Sequence, residues 1–526
     1  MTQPQPVSAS RGLQLFLLCF GVFVVYLDST IVNVAMPAIQ TDLKLGLQGL
    51  QWIFDAYALV FASLLLAAGA AGDRFGHKRV FIAGMIGFTV ASILCALANS
   101  SGTLIAARTL QGACGALLMP VSLAIIRLLY DTPAARAKAI GIWAGIGGLA
   151  LASGPVLGGW LVERFDWSSI FWINVPIGLI VVAGLVAKLR LPVSAAHGRK
   201  PFDAAGQLLF IASIGALAYA IIEGNAAGWS SAEVLASFAL SAVAGILFII
   251  QELRHRNPLV PISLFRNPAF IVAYLTNFLT FFGLFGVIFL MTLYLQQVEG
   301  LSAVDTGVRF LALTLAIMLG SIFGSPIASR VPPRILVPLG SLMAAAGLFG
   351  LTSVEAGISY WSYAWALALV GLGISLTGSS STVALMSAAR PEQAGIASGI
   401  MNTFRQMSAV FGVALAGVFV TGRLRNDGPS LLAELGLPGD LREKAAGALA
   451  NGPAQSDALL ALPEQWRQTT ASAGASLFVD GMHDLLLAAA TASLLCGTIA
   501  FALLTRHARK ARMNTAADQA RAHSAS

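Results

Sequence analysis

Long apolar runs recur along almost the whole chain and are separated mostly by short polar segments. A helix needs about 20 mostly apolar residues to cross the hydrocarbon core of a bilayer. Runs of that length predict fourteen membrane spans, numbered in chain order: 13–36, 50–71, 80–98, 103–126, 138–162, 169–190, 205–223, 232–252, 269–296, 305–327, 334–353, 361–386, 394–421 and 484–505. The connection 422–483 is much longer than the others and contains Pro, Gly and charges of both signs.

The composition favours a membrane protein and excludes two other classes. Of the 526 residues, 57% are hydrophobic and 11% are charged, and the mean hydropathy is +0.79. About a quarter of the residues in a soluble domain are charged, and a disordered chain combines low hydrophobicity with high charge. The expected fold class is therefore an all-α polytopic membrane protein. The four cysteines lie in apolar runs without metal-ligand spacing, so we expect packing roles for them and no metal site.

Basic residues lie mainly in the connections that follow even-numbered spans. If the N-terminus is cytoplasmic, the cytoplasmic side holds 22 Lys and Arg residues and the short external connections hold 3. Cytoplasmic loops are enriched in Lys and Arg, so both termini are expected in the cytoplasm. The net charge of +8 is then assigned to these loops and not to nucleic-acid binding. Span 1 has Asp28 and Asn33 in place of a small-residue cleavage site, which favours a retained helix in the cytoplasmic (inner) membrane.

A weak internal repeat divides the chain. Span 2 ends in the basic turn 69–79, and span 10 ends in a comparable turn, 324–334. Spans 1–6 and 9–14 are therefore interpreted as matching halves, an arrangement typical of transporters. The predicted organisation is a cytoplasmic tail at 1–12, a six-helix half at 13–190, two inserted helices with linkers at 191–260, a second six-helix half at 261–505 with an external loop at 422–483, and a cytoplasmic tail at 506–526.

Five stretches resemble the motifs of one transporter family. They are 27–37 in span 1, 69–79 after span 2, 108–112 in span 4, 154–159 in span 5 and 167–178 at the start of span 6. Their order and placement are similar to those of the major facilitator superfamily, specifically its fourteen-span drug:proton antiporters, over nearly the whole chain. The resemblance implies two six-helix halves plus two inserted helices, alternating access, and proton-driven export of drugs or antibiotics without a cofactor.

The sequence departs from the family pattern at four positions. Ala150 stands where the span 5 motif usually has Gly, and His77 stands where the loop motif usually has Arg. Ser168 stands where a basic residue often follows the Trp, and Asp55 where span 2 more often has Ser or Thr. Span 5 also contains Gly141, Gly145, Gly147 and Gly148. We therefore expect the close packing of span 5 to survive, and we expect Asp55 to affect substrate recognition or coupling.

The glycine-rich motif of span 5 is the first place where gating is expected. Its residues are Gly154, Pro155, Gly158 and Gly159. They remove side chains and one backbone donor, which lets a neighbouring helix approach and permits a bend. The resemblance implies a tight seam between the halves that prevents leakage. A merely structural kink is the alternative.

The cytoplasmic end of span 2 is the second such place. The candidate gating residues are Gly69, Asp73, Arg74, Gly76, Lys78 and Arg79. In the family, the acid matching Asp73 holds the N-terminus of the helix that corresponds to span 13, which begins near Ala394. A carboxylate at a helix N-terminus is stabilised by up to about 2 kcal/mol, which suits a contact that exists in one conformation only. The alternative is that Asp73 and Arg74 merely anchor the helix end at the membrane surface.

Three charged residues are expected at one level inside the membrane. A rise of 1.5 Å per residue from the predicted span ends places Asp28, Asp55 and Arg108 roughly 8 Å inside the outer edge of the core. If they converge, one acid pairs with Arg108 while the second titrates. Asp28, which lies in the span 1 motif, is the preferred proton carrier, and Asp55 is assigned mainly to cationic substrates. Small errors in the span ends would instead place either acid at the outer interface.

Four further polar residues occur in or beside apolar runs. Asn33 and Gln111 are candidates for substrate contacts. Glu223 closes span 7 and is interpreted as an outer-interface residue. Arg405 lies near the middle of span 13 and needs an anionic partner or backbone carbonyls. Asp55 is one possible partner for it.

No motif for enzyme chemistry is visible. The sequence lacks a Gly-rich phosphate loop, a cluster of metal ligands and a nucleophile elbow with plausible partners. Together with this absence, the resemblance implies a proton-coupled secondary exporter that interacts with a small organic substrate, protons and the lipid bilayer. The alternatives are a dedicated exporter of one endogenous metabolite or, as a different class, a membrane sensor or enzyme. The sequence leaves open whether periplasmic or outer-membrane proteins assist.

Overall fold

The computed structural model describes residues 9–130, 132–189, 203–256, 258–389, 394–449 and 462–524. Within these residues, fourteen helices are long and apolar enough to cross a membrane, one for each predicted span. They are α1 Ala9–Leu43, α2 Leu47–Phe75, α3 His77–Ala96, α4 Ser101–Leu129, α5 Pro133–Arg164, α6 Ser169–Trp172 with Asn174–Lys188, α7 Ala204–Ala227, α8 Ala232–Arg254, α9 Pro268–Leu293, α10 Ala303–Arg309 with Leu311–Arg330, α11 Pro333–Gly350, α12 Tyr360–Ala388, α13 Ala394–Asn426 and α14 Glu464–Ser524. The predicted all-helical class and number of spans are confirmed.

The same helix pairings occur in both halves of the molecule. In the first half, α1 packs against α5 and α6, α4 packs against α2 and α3, and α3 packs against α6. Adding eight to each number gives the pairings of the second half: α9 with α13 and α14, α12 with α10 and α11, and α11 with α14. The chain is therefore built from two six-helix halves. The inserted helices α7 and α8 pack against each other, and α7 contacts both α2 and α13.

The two halves touch directly at one end of the molecule. We call this the distal end; it carries the α1–α2, α5–α6 and α9–α10 connections, and α1 begins at the other, terminal end. Gln296, in the helical turn Tyr294–Val298 that follows α9, donates a hydrogen bond to the Val34 carbonyl of α1 at 2.9 Å. Gln51 of α2 donates to the carbonyls of Val413 and Ala414 in α13 at 3.0 and 2.8 Å. These bonds join the halves on the distal side.

The connection between α13 and α14 differs from the predicted loop 422–483. Helix α13 continues to Asn426, short helices follow at Gly428–Glu434 and Gly439–Leu449, and α14 already begins at Glu464. Leu432 and Leu449 of the short helices are fully buried. Residues 450–461 lie outside the described part of the chain. The connection is therefore largely a packed helical segment.

Helix α14 is also longer than predicted at its end. It runs to Ser524, through most of the segment 506–526 that was expected to be a tail. Charged residues end an apolar run, but Arg, Lys, Gln and Ala favour the helical backbone. Asp484, where span 14 was expected to begin, is likewise inside the helix and pairs with Arg423 at 2.7 Å. Hydropathy thus located the membrane-spanning part of α14 but underestimated the length of the helix.

Surface labelling tests the expected sidedness. A cysteine placed at Ser430, which is exposed at the distal end, should react with an impermeant maleimide added to intact cells. A cysteine placed at Arg330, which is exposed at the terminal end, is the matched control and should react only after permeabilisation. Cys19, Cys95 and Cys496 are buried and Cys114 is half-buried, so the protein without an added cysteine is labelled in parallel to measure the background. The reverse labelling pattern would contradict a cytoplasmic terminal end.

Candidate functional site

A buried ion pair joins α1 to α4. Nη1 of Arg108 lies 2.5 Å from Oδ2 of Asp28, and neither side chain is exposed to solvent. The neighbouring helix α2 approaches α4 closely because Gly112 lies against the Tyr57 backbone, where a β-carbon would come within 2.4 Å of the Tyr57 carbonyl oxygen. Two opposite charges in a low-dielectric interior compensate each other, and removing one leaves the other strongly unfavourable.

Three neutral polar side chains complete the surroundings of this pair. Gln111 donates to Oδ1 of Asp28 at 2.9 Å and accepts from Arg108 at 2.7 Å. Asn174 of α6 donates to Oδ1 of Asp28 at 3.3 Å. Ser92 of α3 accepts from both amides, at 2.8 Å from Gln111 and 3.2 Å from Asn174. The proposed substrate residue Gln111 thus lies in a buried network that ties α1, α3, α4 and α6 together.

Arg108 makes two further contacts with α2. Its Nε donates to the Ile53 carbonyl at 3.3 Å, and its guanidinium carbon lies 4.1 Å from the centre of the Tyr57 ring. Its Nη2 has no hydrogen-bond partner among the described residues. A cation over an aromatic face is attracted by the ring quadrupole. The Tyr57 ring therefore stabilises the Arg108 guanidinium in addition to the ion pair with Asp28.

Asp55 lies at a similar level but on a different face of α2. It is fully buried, and neither carboxyl oxygen has a hydrogen-bond partner among the described residues. Two residues along a helix correspond to a rotation of about 200°, so Asp55 points away from Ile53 and Arg108. It shares its face with Gln51, one turn earlier, which contacts α13. In this conformation Arg108 pairs with Asp28 and not with Asp55. The Asp55 side chain is inaccessible to a substrate because it is fully buried.

Arg405 of α13 lies among aromatic side chains from both halves. Its Nη2 donates to the hydroxyl of Tyr26 in α1 at 3.0 Å. Its guanidinium carbon lies 5.6 Å from the centre of the Tyr26 ring and 5.3 Å from that of Phe281 in α9. The sequence left its partner open, with Asp55 as one possibility; the described contact is Tyr26 and not a carboxylate.

Asn33 and Glu223 occupy different environments. Asn33 is buried and donates to the carbonyls of Ser29 and Thr30 in its own helix, both at 3.4 Å, while its Oδ1 is without a partner in the described chain. Glu223 is half-buried at the distal end of α7 and accepts hydrogen bonds from Gln48 at 2.5 Å and Trp52 at 2.9 Å, both in α2. It therefore also fixes the inserted helix to the first half.

The glycine motif of α5 forms close contacts with α1 and α10. A β-carbon on Gly154 would lie 2.0 Å from Thr30 Oγ1, and one on Gly158 would lie 3.0 Å from the Ile31 carbonyl oxygen. A β-carbon on Gly159 would lie 2.3 Å from the carbonyl oxygen of Ala303 in α10. The expected close approach of neighbouring helices is confirmed. The contact between Gly159 and α10 joins the two halves at the distal end.

The remaining glycines of α5 only partly follow the expectation that close packing survives. Gly147 lies against Tyr26, whose ring would be 2.7 Å from a β-carbon. Gly141, Gly145 and Gly148 would have no heavy atom within 4 Å. The terminal half of α5 is therefore loosely surrounded in this conformation, in contrast to its distal half. Pro155 belongs to the tight part, because its carbonyl oxygen would lie 2.4 Å from a β-carbon on Gly307.

The gating role of Asp73 stays a prediction. The Asp73 side chain is 79% exposed, and its carboxylate lies 3.2 Å from the ring nitrogen Nε2 of His77, one turn later. Its expected counterpart near Ala394 adjoins residues 390–393, which lie outside the described chain. The contact with α13 therefore stays a prediction.

The other residues of this turn have separate positions. Gly76 has φ +92°, a left-handed backbone conformation that favours glycine. Lys78 donates to the Leu189 carbonyl at 2.6 Å and so caps the end of α6. A β-carbon on Gly69 would meet no heavy atom within 4 Å. Arg74 lies over the ring of the neighbouring Phe75 at 5.4 Å, and Arg79 is exposed.

Replacing Asp73 by Asn should lower transport without an equal loss of inserted protein. The amide keeps the shape but removes the charge that would hold the N-terminus of α13, a contribution of up to about 2 kcal/mol. Turnover per correctly inserted molecule is the measurement, and His77→Gln, which removes the observed partner, is the control. Wild-type turnover of Asp73→Asn would leave Asp73 as a surface anchor.

Several residues around the ion pair were not singled out from the sequence. Asn174 was visible as an amide within an apolar run, which is a signal because buried polar groups in membranes need partners. Ser92 and Tyr57 gave no comparable signal, because single hydroxyls are frequent in membrane helices. Tyr26 was likewise indistinguishable from an ordinary packing residue.

Two matching six-helix halves, one of which contains a buried charge pair, are typical of a membrane transporter. The sequence model of the Major Facilitator Superfamily matches residues 18–413. The chain therefore belongs to the Major Facilitator Superfamily and is a multi-pass protein of the cytoplasmic membrane.

The similar proteins include named resistance proteins. The chain is 35% identical to the tetracenomycin C resistance and export protein of Streptomyces glaucescens, over 96% of this chain and 94% of that protein. It is 37% identical to the methylenomycin A resistance protein of Bacillus subtilis, over 79% of this chain and 89% of that one. Among solved structures, a bacterial homologue of the human lysosomal transporter Spinster covers 95% of this chain and 98% of its own, with a TM-score of 0.66 and 17% identity. That structure supports the fold alone.

Proposed function

We propose that this protein exports amphipathic drugs or antibiotics across the cytoplasmic membrane in exchange for protons. The relatives named as resistance and export proteins support the direction and the type of substrate. The single observation that carries the coupling is the fully buried pair of Asp28 and Arg108. A charge pair in that place is costly to build, and a structural role alone could be filled by apolar residues.

Coupling would work through protonation of Asp28. In the described conformation the negative charge of Asp28 is balanced by Arg108 and held by Gln111 and Asn174. A proton on Asp28 would replace Arg108 as the compensating charge. Arg108, which already contacts the Tyr57 ring, would then be free to shift. Because the network joins α1, α3, α4 and α6, such a shift would act on the packing of the whole first half.

The conformational step would be a rocking of the two halves. The seam of α5 and α10 and the bonds of Gln51 and Gln296 hold the distal end together. The terminal part of α5 has open space around Gly141 and Gly145. With the terminal end in the cytoplasm, as the distribution of basic residues indicates, this conformation would receive substrate from the cytoplasm or the inner leaflet. Breaking the distal contacts would release it outside.

Reconstituted protein tests the proposal. Purified full-length chain in proteoliposomes should accumulate a substrate against its own gradient only when a pH gradient is imposed, and the substrate should in turn cause a proton flux. The substrate is first found by a resistance and accumulation screen over chemically diverse compounds in an efflux-deficient host. A substrate flux that ignores the pH gradient would contradict antiport. A dedicated exporter of one metabolite would show as protection against a single compound class, and a sensor or enzyme as no flux at all.

A further inference from the structure

Arg405 is a cation inside the transporter without an anionic partner in the described chain. It lies eleven residues after the start of α13 at Ala394, roughly 16 Å along the helix and near mid-membrane. Its side chain is half-buried, and its hydrogen bond goes to the neutral Tyr26 hydroxyl. Basic side chains inside a membrane tend to pair with anions or face a water-filled space. From the functional role proposed above, we infer that Arg405 binds the acidic group of the exported substrate, which is a planar aromatic anion.

Neither Asp28 nor Asp55 makes an ion pair with Arg405 in the described chain. Asp28 is compensated by Arg108 at 2.5 Å. Asp55 is fully buried on α2, with neither oxygen bonded to a described residue. Arg405 therefore supplies a local positive charge between the halves. A guanidinium has five N–H donors in a fork that matches a carboxylate, phenolate or sulfonate, and one of them is used by Tyr26.

Aromatic rings surround the guanidinium and define the rest of the ligand. The rings of Tyr26 and Phe281 lie at 5.6 and 5.3 Å from its central carbon. Trp143 of α5 stands edge-on to Tyr26, with ring centroids 6.3 Å apart. Trp143 is buried and supports Tyr26 from behind, whereas Tyr26 and Phe281 are half-buried. A flat aromatic ligand can stack on Tyr26 and Phe281 while its acidic group reaches Arg405.

The same arrangement connects binding to transport. Arg405 and Phe281 belong to the second half of the molecule, whereas Tyr26 and Trp143 belong to the first. A ligand held by Arg405, Phe281 and Tyr26 contacts both halves. Its contacts must change when the halves rock, and a ligand shifts a conformational equilibrium only through such differences in contact.

Two dyes of opposite charge on the same ring system provide the test. Fluorescein is a planar anion, and tetramethylrhodamine methyl ester is a planar cation with the same xanthene core. Fluorescence anisotropy with the full chain in lipid nanodiscs measures binding of each dye. Arg405→Gln should weaken fluorescein binding by about tenfold or more, as expected for loss of a charge-assisted bond, and should leave binding of the cationic dye unchanged or tighter. Arg405→Lys keeps the charge and should retain most fluorescein binding.

The outcomes separate this inference from the proposed function. Equal fluorescein binding by wild type and a monodisperse Arg405→Gln variant would overturn the inference, as would a wild type that binds only the cationic dye. Flux of the same dyes is then measured in proteoliposomes with a pH gradient. Arg405-dependent binding of fluorescein without any flux would contradict export and leave the binding site standing. Flux of the cationic dye without fluorescein binding would support export and overturn the site.

Discussion

Replacing Asp28 by Asn should abolish accumulation of substrate against its gradient, while exchange of substrate across the membrane continues. The amide cannot release or take up a proton, so the carrier can still bind and rock but cannot use the pH gradient. The two activities are measured in the same proteoliposomes, with and without the imposed gradient. The expected loss of gradient-driven transport is essentially complete, because every cycle would require the proton.

The same substitution should also destabilise the protein. Asp28→Asn leaves Arg108 buried without its 2.5 Å partner, and breaking a buried pair in this way costs about 3–5 kcal/mol. The double variant Asp28→Asn with Arg108→Gln removes both charges and is the matched control. It should recover thermal stability and still fail to couple. Coupled transport by the double variant would show that the pair is structural.

Asp55→Asn provides a comparison within the same helix bundle. Asp55 has no described hydrogen-bond partner, so its replacement by an amide strands no opposite charge and should cost little stability. We expect a weaker or substrate-selective transport defect. If Asp55→Asn loses gradient-driven transport while Asp28→Asn keeps it, the roles of the two acids are exchanged.

Replacing Gly159 by Val should strongly slow transport by hindering closure of the distal end. The added β-carbon would lie 2.3 Å from the Ala303 carbonyl oxygen and 2.9 Å from Val304 Cα. Both are backbone atoms of α10, so no flexible side chain can move aside. Overpacking costs about 1–3 kcal/mol, which shifts a conformational equilibrium by about 5- to 150-fold. Transport per inserted molecule should fall by a similar factor.

Gly141→Val is the matched control for this variant. Gly141 lies in the same helix, but a β-carbon there would meet no heavy atom within 4 Å, so transport should stay near the wild-type rate. A cysteine at Val34, which is fully buried at the distal end, reports on closure. It should become reactive to an external maleimide with Gly159→Val and stay protected with Gly141→Val. Protection in both variants would contradict the role of this seam.

The level of the charged residues could be predicted because every helix rises by the same amount per residue. Counting from the span ends brought Asp28 and Arg108 to one depth, and they are in contact. The depth of a residue does not show which neighbouring helix its side chain faces, because the neighbours of a helix are set by tertiary packing. The sequence could therefore not show that Asp55 faces α13 while Arg108 faces α1 and α2.

The full length of α14 could not be predicted for a different reason. Hydropathy detects apolar length, and it stopped at charged residues such as Asp484 and Arg506, which the helix includes. The motif glycines were more informative, because a missing side chain predicts close contact wherever the partner lies. That held for Gly154 and Gly159 and failed for Gly145, whose surroundings are open.

The inserted hairpin has a consequence for how the protein senses its membrane. In the most apolar stretch of α8 only 17% of residues are buried, and it is α7 that contacts both α2 and α13. Besides their direct contacts, the two halves are thus bridged by α7, which is itself only 33% buried in its most apolar stretch. Changes in bilayer thickness act on such helices by tilting them. Thicker or thinner membranes should therefore change the balance between the two conformations, and with it the speed of the cycle, without any change in substrate or proton gradient.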